Sequence, residues 1–228
     1  MTPDSTPGPL QRDHTIATPP RHETALTIAL PEATHRPGWS RRAAAALLRA
    51  FGWRIAWSPP PGPKGVIMVY PHTSNWDFIV GVLCRHAIGL EAKWMGKDSL
   101  FKGPAGPLMR ALGGIAIDRS AAHGLTAAIV QELQRREHLW LAITPEGTRS
   151  YVPWLKSGFY RIALAADVPC GLGFIDYGTR TVGIDTWVRF SGDETQDLAT
   201  LRAYYAAKRG KTPALAGAIA FKPHDVIP

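Results

Sequence analysis

The sequence predicts an α/β domain, a single domain in which a central, mostly parallel or mixed sheet is flanked by helices. Two observations support this prediction. From about residue 65 onward, short apolar runs alternate with helix-like segments, which is the pattern of successive βα units. Polar residues follow three of these runs, at the strand ends where open α/β sheets bind their ligands. A chain of 228 residues without internal repeats fits one folded domain.

The chain divides into three parts. Residues 1–37 are rich in Pro and Thr and lack a hydrophobic period, which predicts a disordered tail. Residues 38–58 predict an amphipathic helix, and the proline-rich stretch after it predicts a stiff linker. Residues 64–228 are expected to form the main folded domain.

The predicted amphipathic helix leaves two alternatives open. Its apolar stripe packs on the core of the domain, or it lies in a lipid interface, for which flanking tryptophans and a basic edge are suited. We expect the stripe to consist of Ala44, Leu47, Leu48, Phe51 and Ile55.

The elements of the main domain follow from periodicity and from Gly and Pro breaks. Apolar runs, β-branched in part, predict strands over 65–70, 92–95, 114–119, 139–144, 170–177 and 181–190. Longer segments with a helical period predict helices over 77–90, 121–136, 157–166 and 195–208. Glycines and prolines interrupt residues 99–112, so short helical turns are expected there.

Composition restricts the partners and the compartment. The chain has 26 Lys and Arg against 18 Asp and Glu, a net charge of +8, which favours nucleic acid, an anionic membrane surface or a phosphorylated substrate. Its two cysteines lie among apolar residues, which indicates a reducing compartment. No apolar run reaches the length of a membrane span, so a cytoplasmic protein is expected, one that rests on a membrane at most.

His72 and Asp77 are the candidate catalytic residues. Five positions apart, they cannot be neighbours on one regular helix. They can meet if His72 lies in the loop after the strand and Asp77 lies in the first turn of the next helix. The carboxylate would then hold one ring nitrogen and leave the other free to take a proton. The alternative is a first-turn Asp77 favoured only by the helix dipole, with Ser74 or Asn75 as N-cap.

Basic residues at the other strand ends form a candidate binding set. Arg119 and Arg149 could together hold a phosphate, because guanidinium geometry suits its oxygens. Gly147 would let the backbone approach a ligand. Lys156 precedes the next helix, whose amide-rich start favours an anion.

Other classes find less support. No Gly-x-Ser-x-Gly elbow of a serine hydrolase is present, and the Gly-Lys-Thr at 210–212 lacks the preceding strand and glycine of a P-loop. The histidines and cysteines lack metal-ligand spacing, so no metal is expected. The remaining rival is a non-catalytic basic protein that binds nucleic acid or membrane. It predicts Lys and Arg clustered on one face, whereas here they are dispersed.

Three motifs resemble those of the glycerolipid acyltransferases typified by 1-acylglycerol-3-phosphate acyltransferase. The family's His-x4-Asp motif is matched by His72 and Asp77. A glycine-rich turn and apolar strand ending in Arg119 resembles its second motif, and Glu-Gly-Thr-Arg is present literally at 146–149. The three motifs occur in the family's order, across about residues 65–177.

The resemblance implies an O-acyltransferase that moves a fatty acyl group from a thioester to a lysophospholipid hydroxyl. His72 would be the general base, oriented by Asp77. The resemblance assigns the acceptor head group to Arg119, Glu146, Gly147, Thr148 and Arg149, with help from Lys156. The donor would be acyl-CoA or acyl carrier protein, with no bound cofactor. An anionic membrane surface is the expected partner, on the cytoplasmic face, and no nucleic acid is expected. A non-glycerol lyso-lipid acceptor is an open alternative.

Overall fold

A computed structural model describes residues 38–117 and 124–223 of the chain. Within these residues, seven strands form one sheet: β1 Arg54–Trp57, β2 Lys64–Val69, β3 Ala92–Lys97, β4 Gly114–Ile117, β5 Leu139–Ile143, β6 Cys170–Asp176 and β7 Thr181–Val188. The α-helices are α1 Gly38–Ala50, α2 Trp76–Ile88, α3 Gly106–Ala111, α4 Leu125–Arg135, α5 Gly158–Ala165 and α6 Glu194–Tyr205. Short 3₁₀ helices cover Asp98–Phe101 and Pro213–Leu215. The predicted α/β class is confirmed.

The sheet is mixed and mostly parallel, with the strand order β1-β7-β6-β2-β5-β3-β4. Strands β6, β2, β5, β3 and β4 run parallel to one another, while β7 and its parallel neighbour β1 run the opposite way. Because β2, β5 and β6 are adjacent and parallel, the loops that leave them meet at one edge of the sheet.

Helices cover both faces of the sheet, which explains why its central strands are apolar throughout. Within β2, Val66 and Met68 face a core shared with α4, α5 and α6. Ile67, between them, faces the opposite side, in a cluster with β3, β5 and β7 residues. On that side, residues of α1 and α2 pack together over the ends of β6 and β7.

The amphipathic helix is shorter than predicted. It ends at Ala50, and residues 54–57 form strand β1 at the sheet edge, so the predicted extension of the helix beyond Ala50 is wrong. The reason is Gly52, whose positive φ of 75° lets the chain reverse. The reversal is closed by a hydrogen bond of 2.9 Å from the Trp53 amide to the Leu48 carbonyl. Ile55 therefore belongs to a strand.

The apolar stripe of α1 divides between core and surface. Ala44 and Leu48 are buried, whereas Leu47 and Phe51 are exposed. At the start of α1, Arg41 donates to the carbonyl of Ile88, the last residue of α2. The two helices therefore lie side by side in opposite directions, with the end of α1 beside the start of α2.

Candidate active site

His72 and Asp77 meet in the arrangement that the sequence predicts. His72 lies in the loop after β2, following a cis peptide bond between Tyr70 and Pro71, and Asp77 lies in the first turn of α2. His72 Nδ1 is 3.2 Å from Asp77 Oδ2. The Asp77 side chain is 1% exposed and that of His72 is 13% exposed. The pair is therefore shielded from solvent yet reachable.

The Asp77 carboxylate also organises the loop that carries His72. Its Oδ2 accepts hydrogen bonds from the Thr73 amide at 2.8 Å and from the Ser74 amide at 2.9 Å. Its Oδ1 accepts one from the Tyr177 hydroxyl at 2.8 Å. Asp77 thus combines the two roles considered above, since one first-turn carboxylate both satisfies backbone amides and holds His72.

These contacts keep Asp77 ionised. Burial by itself raises the pKa of its carboxyl, but hydrogen bonds from His72, Tyr177 and the Ser74 amide outweigh burial, and the pKa lies below its ordinary value. A carboxylate at Nδ1 favours the imidazole tautomer with its proton on that nitrogen. The other ring nitrogen, Nε2, is then left as a proton acceptor.

Glu146 contacts the backbone of the same loop. Its side chain is buried, its Oε2 accepts a hydrogen bond of 2.6 Å from the His72 amide, and its Oε1 accepts one of 3.3 Å from the Gly217 amide. Burial, together with the negative charge of Asp77, raises the pKa of Glu146 to about 7, against the lowering effect of these two bonds. The described contacts of Glu146 are thus internal, unlike the head-group contact that the motif implies.

The rest of the Glu-Gly-Thr-Arg stretch faces outward. Thr148 and Arg149 are exposed and line the mouth of a cavity. Gly147 has a φ of +65°, and a Cβ there would lie 3.0 Å from the Lys156 Nζ, so a glycine gives this turn its shape and lets Lys156 lie over it. Lys156 is exposed beside the turn and does not line the cavity.

The cavity has a volume of about 530 Å³ and lies between α2 and the sheet. His72, Asp77, Thr148 and Arg149 are at its polar mouth. Apolar side chains line most of the remainder, among them Ile67, Val69, Phe78, Val82, Ile88, Leu90, Trp94, Met95, Phe174, Ile175 and Ile184. The polar residues Arg85, Lys97, Ser99, Thr144 and Ser150 also line it. Because β3 runs from Ala92 to Lys97 and both ends of it line the cavity, the space follows the length of the strand. It therefore suits a long apolar group whose polar end reaches His72.

Arg119 lies outside the described residues. Strand β4, which it follows in sequence, is parallel to β3 and ends at the same sheet edge as the site, so the expectation for Arg119 stays a prediction. Within residues 38–117 and 124–223, no group of three or more His, Cys, Asp or Glu side chains could hold a metal ion.

Tyr177, Gly217 and Thr73 also contribute to the site, although the sequence did not predict them. Tyr177 bonds Asp77 across 100 positions of sequence, and Gly217 bonds Glu146 across 71. The Thr73 hydroxyl accepts a hydrogen bond of 3.1 Å from the Thr212 amide. No local spacing links these residues to the motifs, although Thr73 stands inside the His-x4-Asp stretch.

The chain is similar to known proteins in sequence and in fold. The model of the family described as Acyltransferase matches residues 59–171. The crystal structure of the 1-acyl-sn-glycerophosphate (LPA) acyltransferase, PlsC, from Thermotoga maritima superposes with a TM-score of 0.51 at 17% identity. The match covers 76% of this chain and 80% of that one.

No curated protein matches the chain. The solved structure supports the fold, and the family model spans the segment with the histidine, the aspartate and the Glu-Gly-Thr-Arg turn. Through that segment, the chain belongs to the Acyltransferase family.

Proposed function

We propose that this enzyme transfers a fatty acyl group from an acyl thioester to the hydroxyl of a lysophospholipid such as 1-acylglycerol-3-phosphate. The observation that carries the proposal is the His72–Asp77 pair at the polar mouth of an apolar cavity. A base at the mouth of a space suited to a long chain fits a reaction at the carboxyl end of that chain.

The proposed reaction is a direct transfer. His72 Nε2 takes the proton of the acceptor hydroxyl as its oxygen attacks the thioester carbonyl carbon. The carbon–sulfur bond breaks, and the thiolate leaves and receives the proton from the imidazolium. Asp77 remains ionised and stabilises the imidazolium, whose Nδ1 lies 3.2 Å from Asp77 Oδ2. Because the acceptor oxygen attacks the thioester directly, no acyl-enzyme is required.

The acyl chain is proposed to occupy the cavity beneath α2. Its volume of about 530 Å³ lies within the range of ligand sites, roughly 300–1,000 Å³. Burial of each methylene stabilises the bound chain by about 0.8 kcal/mol. The chain also keeps water away from the thioester, which favours transfer over hydrolysis.

The acceptor head group is proposed to lie over the turn at 147–149. Arg149 and Thr148 offer a cation and a hydroxyl there, and Lys156 lies over Gly147. Arg119 is proposed to add a second guanidinium from the end of β4. Because both oxygens of Glu146 accept backbone amides, we assign it to positioning the His72 loop rather than to binding the head group.

The acyl donor is proposed to be acyl-CoA or acyl carrier protein. The net charge of +8 favours both, since CoA carries phosphates and carrier proteins are acidic. Neither choice requires a resident cofactor.

We place the enzyme peripherally on the cytoplasmic face of an anionic membrane. Within the described part of the chain, no helix combines the length and apolar character that crossing a bilayer requires. We propose that four exposed apolar side chains contact the membrane: Leu47 in α1, Phe51 just after α1, and Trp76 and Ile79 in the first turn of α2. Lys211 lies over the Trp76 ring at 5.3 Å and adds a positive charge.

Transfer from an acyl thioester to lysophosphatidic acid and to a panel of other lyso-lipids tests the proposed reaction. We expect His72→Ala to lower kcat at least about 100-fold, because the base is removed. His138→Ala, at an exposed histidine before β5, should retain wild-type transfer. Transfer by His72→Ala at the wild-type rate would contradict the assigned base, and no turnover by the wild type on any lyso-lipid would contradict the proposed acceptor class.

The pH dependence of the free energy of unfolding tests whether Glu146 is buried with a raised pKa. The folded protein keeps the Glu146 proton up to about pH 7, whereas an unperturbed glutamate releases it near 4.5. The free energy of unfolding should therefore fall as pH rises through this window, by up to about 3 kcal/mol from this group. Glu146→Gln cannot titrate, so urea unfolding between pH 4.5 and 7.5 should give it a flatter profile. Equal slopes for the two proteins would contradict a buried Glu146 whose pKa is raised.

Vesicle sedimentation tests the proposed membrane surface. The double variant Phe51→Ser and Ile79→Ser should bind vesicles containing phosphatidylglycerol several-fold more weakly, because two exposed apolar contacts are lost. Its turnover of a water-soluble short-chain acceptor should be unchanged. Trp39→Ser changes a residue at the opposite end of α1. Its vesicle affinity should be closer to that of the wild type than the affinity of the double variant is. Weaker binding by Trp39→Ser than by the double variant would place the surface elsewhere.

A further inference from the structure

We propose that Tyr177 is a positioning residue of the transfer site, whose hydroxyl fixes the Asp77 carboxylate in the orientation that holds His72. This inference rests on the proposed acyl transfer. Tyr177 lies outside residues 59–171, the segment matched by the family model, so it is assigned from the contacts of this chain alone.

The two oxygens of Asp77 have different partners. Oδ2 lies within hydrogen-bonding distance of the Thr73 amide, the Ser74 amide and His72 Nδ1. Oδ1 accepts from the Tyr177 hydroxyl at 2.8 Å. Rotation about the bond to an aspartate carboxylate has a broad energy profile. A donor on Oδ1 opposes that rotation and so keeps Oδ2 directed at His72.

Tyr177 is itself held firmly. Its amide donates to the Arg209 carbonyl at 2.8 Å, and its ring packs edge-on against Trp53 with centroids 5.0 Å apart. The preceding residue, Asp176, is buried and accepts hydrogen bonds from the amides of Gly178 and Arg209. The hydroxyl is therefore placed by the end of β6, by Trp53 just before β1 and by the segment after α6.

The hydroxyl acts as a donor throughout the reaction. Burial, and then the hydrogen bond to Asp77 and the negative charge of Asp77, raise the pKa of Tyr177 well above its ordinary value, so the proton stays on the phenol oxygen. In the transfer step the acceptor proton moves to His72 Nε2 and then to the leaving thiolate. Asp77 keeps its charge, and Tyr177 exchanges no proton.

The test is steady-state transfer by Tyr177→Phe, which deletes the hydroxyl and preserves the ring that packs on Trp53. We expect kcat to fall about tenfold, the effect of losing one hydrogen bond to a charged group. KM for donor and acceptor should stay within about twofold, since the hydroxyl touches neither in this proposal. Thermal unfolding of the same samples verifies that the variant is folded.

Tyr160→Phe is the matched control. The Tyr160 hydroxyl donates to Asp197 at 2.9 Å, in the core on the other face of the sheet, away from His72. The Tyr160→Phe variant loses an equivalent tyrosine–aspartate hydrogen bond, but one away from the transfer site. Its kcat should therefore equal that of the wild type even if its melting temperature falls.

The second measurement is the kcat of the double variant Asp77→Asn with Tyr177→Phe, compared with that of Asp77→Asn alone. If Tyr177 acts through Asp77, adding Tyr177→Phe to Asp77→Asn should lower kcat no further. Multiplicative losses, or a wild-type kcat in Tyr177→Phe, would overturn the inference. Both outcomes are distinct from failure of the proposed function, in which the wild type itself would transfer no acyl group or would do so independently of His72.

Discussion

The buried carboxylate of Asp77 is the constraint on which the site depends. A carboxylate 1% exposed is costly unless donors surround it. The chain supplies two loop amides, the imidazole of His72 and the hydroxyl of Tyr177. These donors come from the loop after β2 and from the end of β6, so satisfying one charge fixes the geometry of the loop that carries the base.

Strand order explains why distant segments meet here. Strand β2 lies between β5 and β6, and all three are parallel, so their carboxyl ends deliver the His72 loop, the Glu146 turn and Tyr177 to one edge. The segment after α6 returns across the same edge and contributes the Gly217 amide to Glu146. Two buried carboxyl groups thus hold one loop. Asp77 contacts the His72 side chain and the Thr73 and Ser74 amides, and Glu146 contacts the His72 amide.

Much of this arrangement could be predicted because its signals are local. Strands buried on both faces must be apolar, and the His72–Asp77 spacing lets the two side chains meet where a loop is followed by a helix turn. The sequence did not predict strand β1, because the apolar stripe of α1 continues in sequence past Gly52, where the backbone turns. Tyr177 and Gly217 carry no local signal, since tertiary packing brings them in. The cavity is likewise a property of how α2 lies on the sheet.

The central claim is that the cavity beneath α2 holds the acyl chain with its thioester at His72. An acyl thioester with a photoreactive group at the end of its chain tests this directly, by illumination of the wild-type protein and mapping of the labelled peptides by mass spectrometry. We expect labels on residues of α2 and β3 that line the cavity, and excess unlabelled donor should abolish them. Labels confined to surface peptides, unaffected by competitor, would contradict it.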